Sequence, residues 1–225
     1  MKEGERVRAI VLRRTDYGEA DRVVQLLTTK GRRSVIAKGV RREKSKLAGG
    51  IELFAISDVV IRQGKGDLGL LTSARMVAFY RHILEDYERM QFAYTVLKLV
   101  AQASETVDEP TWFTLTAEVL EHLDNLAVDR QLIEVWFYVN YAGLLGDELN
   151  LRLDVSGHEL DPDKMYMYDE AEKALRLSEQ GSIGAGHIKL LRLISAKTLA
   201  QVAQIGGIEQ VIADCWLVAR QHAAV

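Results

Sequence analysis

The sequence predicts an α+β, multi-domain chain, a five-stranded barrel followed by an all-helical domain, and three observations predict it. Apolar residues alternate with a period near two up to Phe79 and recur at helical spacing beyond it. Five segments rich in Val, Ile, Leu and Thr fall within the first 80 residues, each bounded by Gly or charged turn residues. Charge is split the same way: residues 1–80 hold 17 Lys and Arg against 9 Asp and Glu, and residues 81–225 hold 12 against 23. A total of -3 therefore conceals +8 in the first part and -11 in the second. An anionic partner for the first part and a different kind of partner for the second follow from that split.

Strands are expected at residues 7–14, 22–29, 32–39, 53–63 and 68–79. Five short strands in so few residues suit a small closed barrel, whose closure removes exposed edges, and the oligonucleotide/oligosaccharide-binding (OB) barrel has that strand count. The first domain is placed at 1–79 and the helical one at 80–225. In "RHILEDYERMQFAYTVLKLVAQASE", Ile83, Tyr87, Met90, Tyr94, Leu97 and Ala101 share one helical face. Pro110 breaks that helix, and a second runs through Trp112, Leu115, Val119, Leu120 and Leu123. The stretch 130–145 is apolar almost all round and is expected at the centre of a bundle. Residues 146–183 lose periodicity and are read as an irregular segment; helices resume at 184–204 and 208–223, separated by Gly206-Gly207.

Length and composition exclude several classes. With 225 residues and 48% hydrophobic content the chain can bury a sizeable core. The single cysteine, Cys215, excludes an internal disulfide and any zinc site built on several cysteines. The opening "MKEGERVRAIVLRR" is charged throughout and no run of eighteen apolar residues occurs, so the chain is expected to be cytoplasmic, with no membrane; nucleoid association would go with DNA binding. "GKGDLG" at Gly64–Gly69 fits GxGxxG but precedes a strand pattern rather than a helix, so it is read as a hairpin turn. "DPDKMYMYDE" lacks the glycine and terminal glutamate of a calcium loop, and the five histidines form no HxH or HExxH pair. No GxSxG elbow or phosphate loop is present, and no cofactor or catalytic residue is assigned. Asp16, Glu19 and Asp21 fall in the turn after the first strand, where acidic residues are ordinary; a metal-dependent nucleic-acid-processing enzyme with these as ligands is the rival reading.

The most informative stretch is "KGRRSVIAKGVRREKSK", residues 30–46, with eight cations against Glu43. Lys30, Arg32, Arg33, Lys38, Arg41, Arg42, Lys44 and Lys46 are interleaved with strand residues and glycines, which places them on a stiff scaffold rather than a polar tail. A polyanion relieves their mutual repulsion, and phosphate contacts of this kind give affinity with little sequence preference. Arg13, Arg14 and Arg22 extend the patch. A second alternative is a protein-only adaptor whose basic patch meets an acidic partner. Few aromatics lie in the barrel region (Tyr17, Phe54, Phe79, Tyr80), so backbone contacts are expected to outweigh base stacking.

The IVL of the first strand, Tyr17-Gly18-Glu19 with Asp21, Leu26 to Gly31, Ala37 to Ser45 and Gly64 to Thr72 keep a shared spacing over about 70 residues. This segment resembles the opening domain of the RecO family of bacterial recombination mediators. The resemblance implies an OB barrel and a helical domain, binding to single- and double-stranded DNA, annealing of complementary strands, and help in loading recombinase on DNA covered by single-stranded DNA-binding protein (SSB). It implies RecR, in some bacteria also RecF, and the acidic C-terminal tail of SSB as partners. The family's DNA-binding positions match Lys38, Arg41, Arg42, Lys44 and Lys46 here. Many relatives carry a four-cysteine zinc module after the third helix, but Leu153 and Ser156 stand where its first two cysteines would be. Leu53-Phe54 replaces a usual Pro-Phe. In the helical part, a groove near Lys98 or Arg130 is the place where an acidic-hydrophobic tail is expected.

Overall fold

Along each strand alternate residues are apolar and turn inward, because successive side chains point to opposite faces. In this computed structural model, which describes residues 4–64, 66 and 68–224, β1 spans Glu5–Tyr17, β2 Asp21–Thr28, β3 Gly31–Ala37, β4 Ala55–Arg62 and β5 Gly69–Phe79. Val7, Ala9, Val11, Val24, Leu26, Val35, Val59, Ile61 and Leu71 meet in one core. The strand order β1-β2-β3-β5-β4 closes on itself as an OB-type barrel, with β4 returning to pair antiparallel with β1. β3 and β5 run parallel, joined through Val35–Gly69 and Ile36–Leu70, and the other pairs of barrel strands among the described residues are antiparallel. Register shifts between Val11 and Arg13 in β1, and at two places between β4 and β5, bend the strands enough for closure. β4 and β5 are antiparallel neighbours, as a hairpin at Gly64–Gly69 requires, although Lys65 and Asp67 of that turn lie outside the described residues.

Past Phe79 the expected unbroken helix is interrupted. A 3-10 turn at Arg81–Glu85 ends at Asp86, whose backbone is extended and whose carboxylate accepts a hydrogen bond from the Arg89 amide at 3.0 Å. Asp86 thereby caps α1 (Tyr87–Thr106), a strong N-terminal signal that overrides continued periodicity. α2 (Thr111–Asp124) starts after Pro110 and buries Trp112, Leu115, Val119, Leu120 and Leu123. The Trp112 indole N–H donates to the Val107 carbonyl at 2.9 Å, and Phe54 and Tyr94 meet edge-on at 4.9 Å. Chain contacts divide the molecule into two units, Met1–Asn125 and Leu126–Val225, so α1 and α2 pack with the barrel.

In the second unit α3 (Arg130–Leu144) is buried from Leu132 to Val139 and packs against α4 (Ala185–Ala196) and α6 (Ile212–His222). Its buried Glu134 is paired with Arg130 and accepts the indole N–H of Trp216. The single helix expected over 184–204 breaks at Thr198, where Thr198 and Gln201 form a reciprocal capping box opening the short α5 (Leu199–Val202). Gly206 and Gly207 do separate the last pair, with Gly207 at φ 75°. Among the described residues no helix is long and apolar enough to cross a membrane.

The part expected to be all-helical also contains a two-stranded sheet, β6 (Tyr166–Asp169) and β7 (Ala174–Leu177), within the segment read as irregular. Zinc does not fit here. Leu153 and Ser156 offer no thiolate, and among the described residues no group of three or more His, Cys, Asp or Glu could hold a metal ion. The turn is closed instead by Asp154, whose carboxylate accepts from the amides of Ser156 at 2.8 Å and His158 at 3.0 Å, while Val155 N–H donates to Leu175 of β7. These amide bonds, first that of His158, hold the Asp154 carboxyl below its usual range. Because the folded value lies below the unfolded one, the stabilisation is complete above about pH 4 and is lost as pH falls through the lowered value. Exchange protection of the Ser156 and His158 amides is expected to be intact at pH 6, to fall at the acid end, and to be absent at any pH in Asp154→Ala. Unchanged protection in that variant would show that the turn closes without the carboxylate.

Candidate nucleic-acid interface

The chain between β3 and β4 crosses one end of the barrel, and its sequence explains how it is held. Val40 and Ile51 are buried in the barrel core, with Leu47 and Ala48 packed against it, so apolar residues pin the segment at both ends and leave its charged residues outward. Backbone bonds add to this: the Gly39 amide donates to the Asp21 carboxylate at 2.7 Å, and the Arg41 amide donates to the Ala20 carbonyl at 2.9 Å. Gly39 sits at φ 63°, and Ser45 N–H closes a turn onto the Arg42 carbonyl. Lys38, Arg41, Arg42, Lys44 and Lys46 are all exposed on this segment.

Their charges are not equally available. The Arg41 guanidinium lies 3.6 Å from Asp16 and donates to the Gly18 carbonyl, which ties it to the β1–β2 turn. Asp16 is shared with Arg22, 2.8 Å away, and these two guanidinium groups, Arg22 foremost, hold its carboxyl below the ordinary range. Arg14 is paired with Glu52 at 2.9 Å. Lys38, Arg42, Lys44 and Lys46, together with Arg13, have no carboxylate partner among the described residues. With Asp16 engaged by arginines and Asp21 by the Gly39 amide, two of the rival reading's three carboxylates are committed to holding this loop in place.

Lys30, Arg32 and Arg33 are not brought to the same place. They lie at the β2–β3 turn and the start of β3, at the far end of a seven-residue strand, about 20 Å away at the usual rise per residue. Carboxylates meet them there: Lys30 is 3.2 Å from Glu5, Arg33 is 3.9 Å from Glu5, and Arg32 is 2.9 Å from Glu105 of α1. The eight cations thus divide into a group around the 38–46 loop, of which only Arg41 meets a carboxylate among the described residues, and a group around the 29–33 turn in which each cation has a carboxylate beside it. A further set of guanidinium groups, on Arg6, Arg8 and Arg75, lines a groove on the outer wall of β1, β4 and β5. The sequence reading passes over them; the alternation "RVRAIV" is the signal that could have placed Arg6 and Arg8 on one outward face.

The second unit contains an apolar groove of about 270 Å³ lined by Leu160, Pro162, Ile188 and Leu193 together with Lys189 and Arg192, whose guanidinium donates to the Leu151 carbonyl. Neither Lys98 nor Arg130, the residues named from the sequence, lines it.

A closed five-stranded OB-type barrel with an anchored, cation-bearing loop, followed by a largely helical unit, defines the class of small barrel proteins whose positive charge sits on the barrel. The family model described as "Recombination protein O N terminal" matches residues 1–80, and "Recombination protein O C terminal" matches residues 84–222. The chain belongs to the recombination protein O family. It is 32% identical over 143 residues to the "DNA repair protein RecO" of Syntrophomonas wolfei, covering 63% of this chain and 56% of the relative. A Dehalococcoides mccartyi protein of the same name (strain ATCC BAA-2266) is 33% identical over 156 residues, 68% of this chain and 61% of the relative. That of strain CBDB1 is 27% identical over 225 residues, 96% of this chain and 88% of the relative. The first two matches therefore span less than two thirds of those relatives' lengths.

Proposed function

We propose that this chain is a non-catalytic DNA-binding mediator in DNA repair and recombination, which grips phosphate backbones with the loop 38–46 and anneals complementary strands. The observation that carries the reading is the group Lys38, Arg42, Lys44 and Lys46, exposed, without carboxylate partners among the described residues, on a loop pinned into the barrel by Val40 and Ile51. Holding such cations together costs repulsion that a polyanion relieves, and the rigid anchor spares ordering entropy on binding. Neutralising phosphates on two strands lowers the repulsion between them, which is the physical step in annealing. Nucleotide hydrolysis has no part in this.

The partners that go with the role are RecR, in some bacteria also RecF, and the acidic C-terminal tail of SSB. For such a tail the groove lined by Leu160 and Ile188 supplies apolar contact, with the exposed Lys189 as a cation among its lining residues. Engaging the tail while the barrel holds DNA weakens SSB's hold and opens the strand to recombinase.

The test is fluorescence anisotropy of labelled single- and double-stranded oligonucleotides over a salt series, with the same DNA examined for cutting in Mg²⁺ and Mn²⁺. Binding that weakens steeply with salt, without cutting, is the expected result. Cutting would favour a metal-dependent enzyme, and no binding even at low salt would favour a protein-only adaptor.

A further inference from the structure

We propose that the groove on the outer wall of β1, β4 and β5 is a second phosphate-backbone site, which holds a second nucleic-acid strand while the loop 38–46 holds the first. The inference rests on the DNA-binding reading above and extends it to residues that reading does not use.

Strand register assembles the groove. Arg6 and Arg8 are two residues apart on β1 and so share its outward face; Arg8 stands opposite Asp58 of β4, which in turn stands opposite Arg75 of β5, while Arg6 is opposite Val60 and Val60 opposite Ser73. Two rungs of a three-stranded wall thus present three guanidinium groups. They line a cavity of about 720 Å³ together with Thr29, Ser73 and Phe113 of α2. One carboxylate, Asp58, serves two of them, at 3.4 Å from Arg8 and 3.3 Å from Arg75, and Arg6 has no carboxylate partner among the described residues.

Fold stability does not account for this convergence. The Arg75 side chain is 80% exposed and that of Arg8 52%, and single-point ion pairs at such exposure contribute little. Two positive charges remain uncompensated in a concave site with a hydroxyl donor on either side and an apolar wall. Guanidinium groups bind phosphate through paired N–H donors, and hydroxyls add neutral bonds. A diester backbone fits this chemistry and an acidic side chain alone leaves most of the groove unfilled.

Its position on β1 makes the groove a separate site. Arg8 lies near the start of the strand, which pairs with β4, whereas Arg14 and Asp16 lie near its end, which pairs with β2 beside the 38–46 loop. Six residues of strand separate Arg8 from Arg14, about 20 Å along the chain. One stiff barrel therefore carries two cationic surfaces spaced widely enough for two strands to be bound without sharing a contact.

The experiment uses the full chain and the double variant Arg6→Ala/Arg75→Ala, both side chains being exposed. Binding of one labelled 30-mer and the annealing rate of complementary 30-mers are measured at the same protein concentration. The variant is expected to bind one strand within about twofold of wild type with an unchanged salt slope, and to anneal roughly tenfold more slowly. Arg6→Lys/Arg75→Lys, which keeps the charge, is expected to retain most of the annealing rate. A variant that anneals as fast as wild type overturns the proposal. So does one whose single-strand affinity falls as far as its annealing rate, because one strand then wraps both surfaces. A wild-type chain that binds no DNA overturns this proposal and the mediator reading together, whereas wild-type annealing with an unaffected variant overturns this proposal alone.

Discussion

Replacing Lys38, Arg42, Lys44 and Lys46 together by alanine is expected to lower affinity for single-stranded DNA by roughly two to three orders of magnitude near 0.1 M salt, and to make the log-log salt slope shallower by about 3. The magnitude follows from counting. Each phosphate neutralised on a single strand contributes about 0.7 to the slope, so four lost contacts remove nearly 3, and the affinity difference shrinks as salt rises. These four are chosen because no carboxylate meets them among the described residues, whereas Arg41 is engaged by Asp16 and the Gly18 carbonyl and helps to fix the loop. The companion variant Lys30→Ala/Arg32→Ala/Arg33→Ala removes three cations that face the carboxylates of Glu5 and Glu105, a cluster with only one net positive charge. It is expected to leave the slope nearly unchanged. Equal effects from the two variants would mean that charge density over 30–46, rather than the anchored loop, determines binding.

The contrast between those variants marks where sequence reading ends. The barrel was legible because its signal is local: β1 to β5 are short segments rich in Val, Ile, Leu and Thr, and Gly or charged residues punctuate them. The concentration of cations in 30–46 was legible as composition. Which of them are free was not, because the partner of Arg32, Glu105, lies 73 positions away and that of Lys30 sits on a neighbouring strand. Nor does alternation alone show that Arg8 and Arg75 flank one carboxylate, since that depends on the register of three strands. In the helical part, Asp86 and Thr198 interrupt helices that apolar spacing would continue, because a side chain that captures a free amide ends a helix regardless of periodicity. Strands β6 and β7 have four residues each, too short for a period to emerge, and the turns of this segment are closed by the carboxylates of Asp154 and Asp169, which accept backbone amides.

Gly50→Ala is expected to destabilise the protein by about 1–3 kcal/mol, the usual cost of forcing extra volume into a packed site, and to weaken DNA binding along with it. The reason lies in how the cationic loop ends. After Lys46 the chain makes a 3-10 turn at Ala48–Gly50 that lies against β5 and β4, and Ile51 then enters the barrel core. A Cβ on Gly50 would stand 2.4 Å from the Ala74 carbonyl oxygen and 2.5 Å from its carbon. These are backbone atoms of a paired strand and cannot swing aside, so the turn must lift away, withdrawing Ile51 and loosening the segment that presents Lys44 and Lys46. Gly49 supplies an internal control, since a Cβ there meets nothing within 4 Å. Gly49→Ala is expected to stay within about 0.5 kcal/mol of wild type and to bind DNA normally. Thermal and denaturant unfolding read the stability difference, and the salt series reads the binding. If Gly50→Ala lost stability yet bound DNA with the wild-type slope, the loop's charges would act without their anchor, and the rigid presentation of cations would have to be abandoned as the source of affinity.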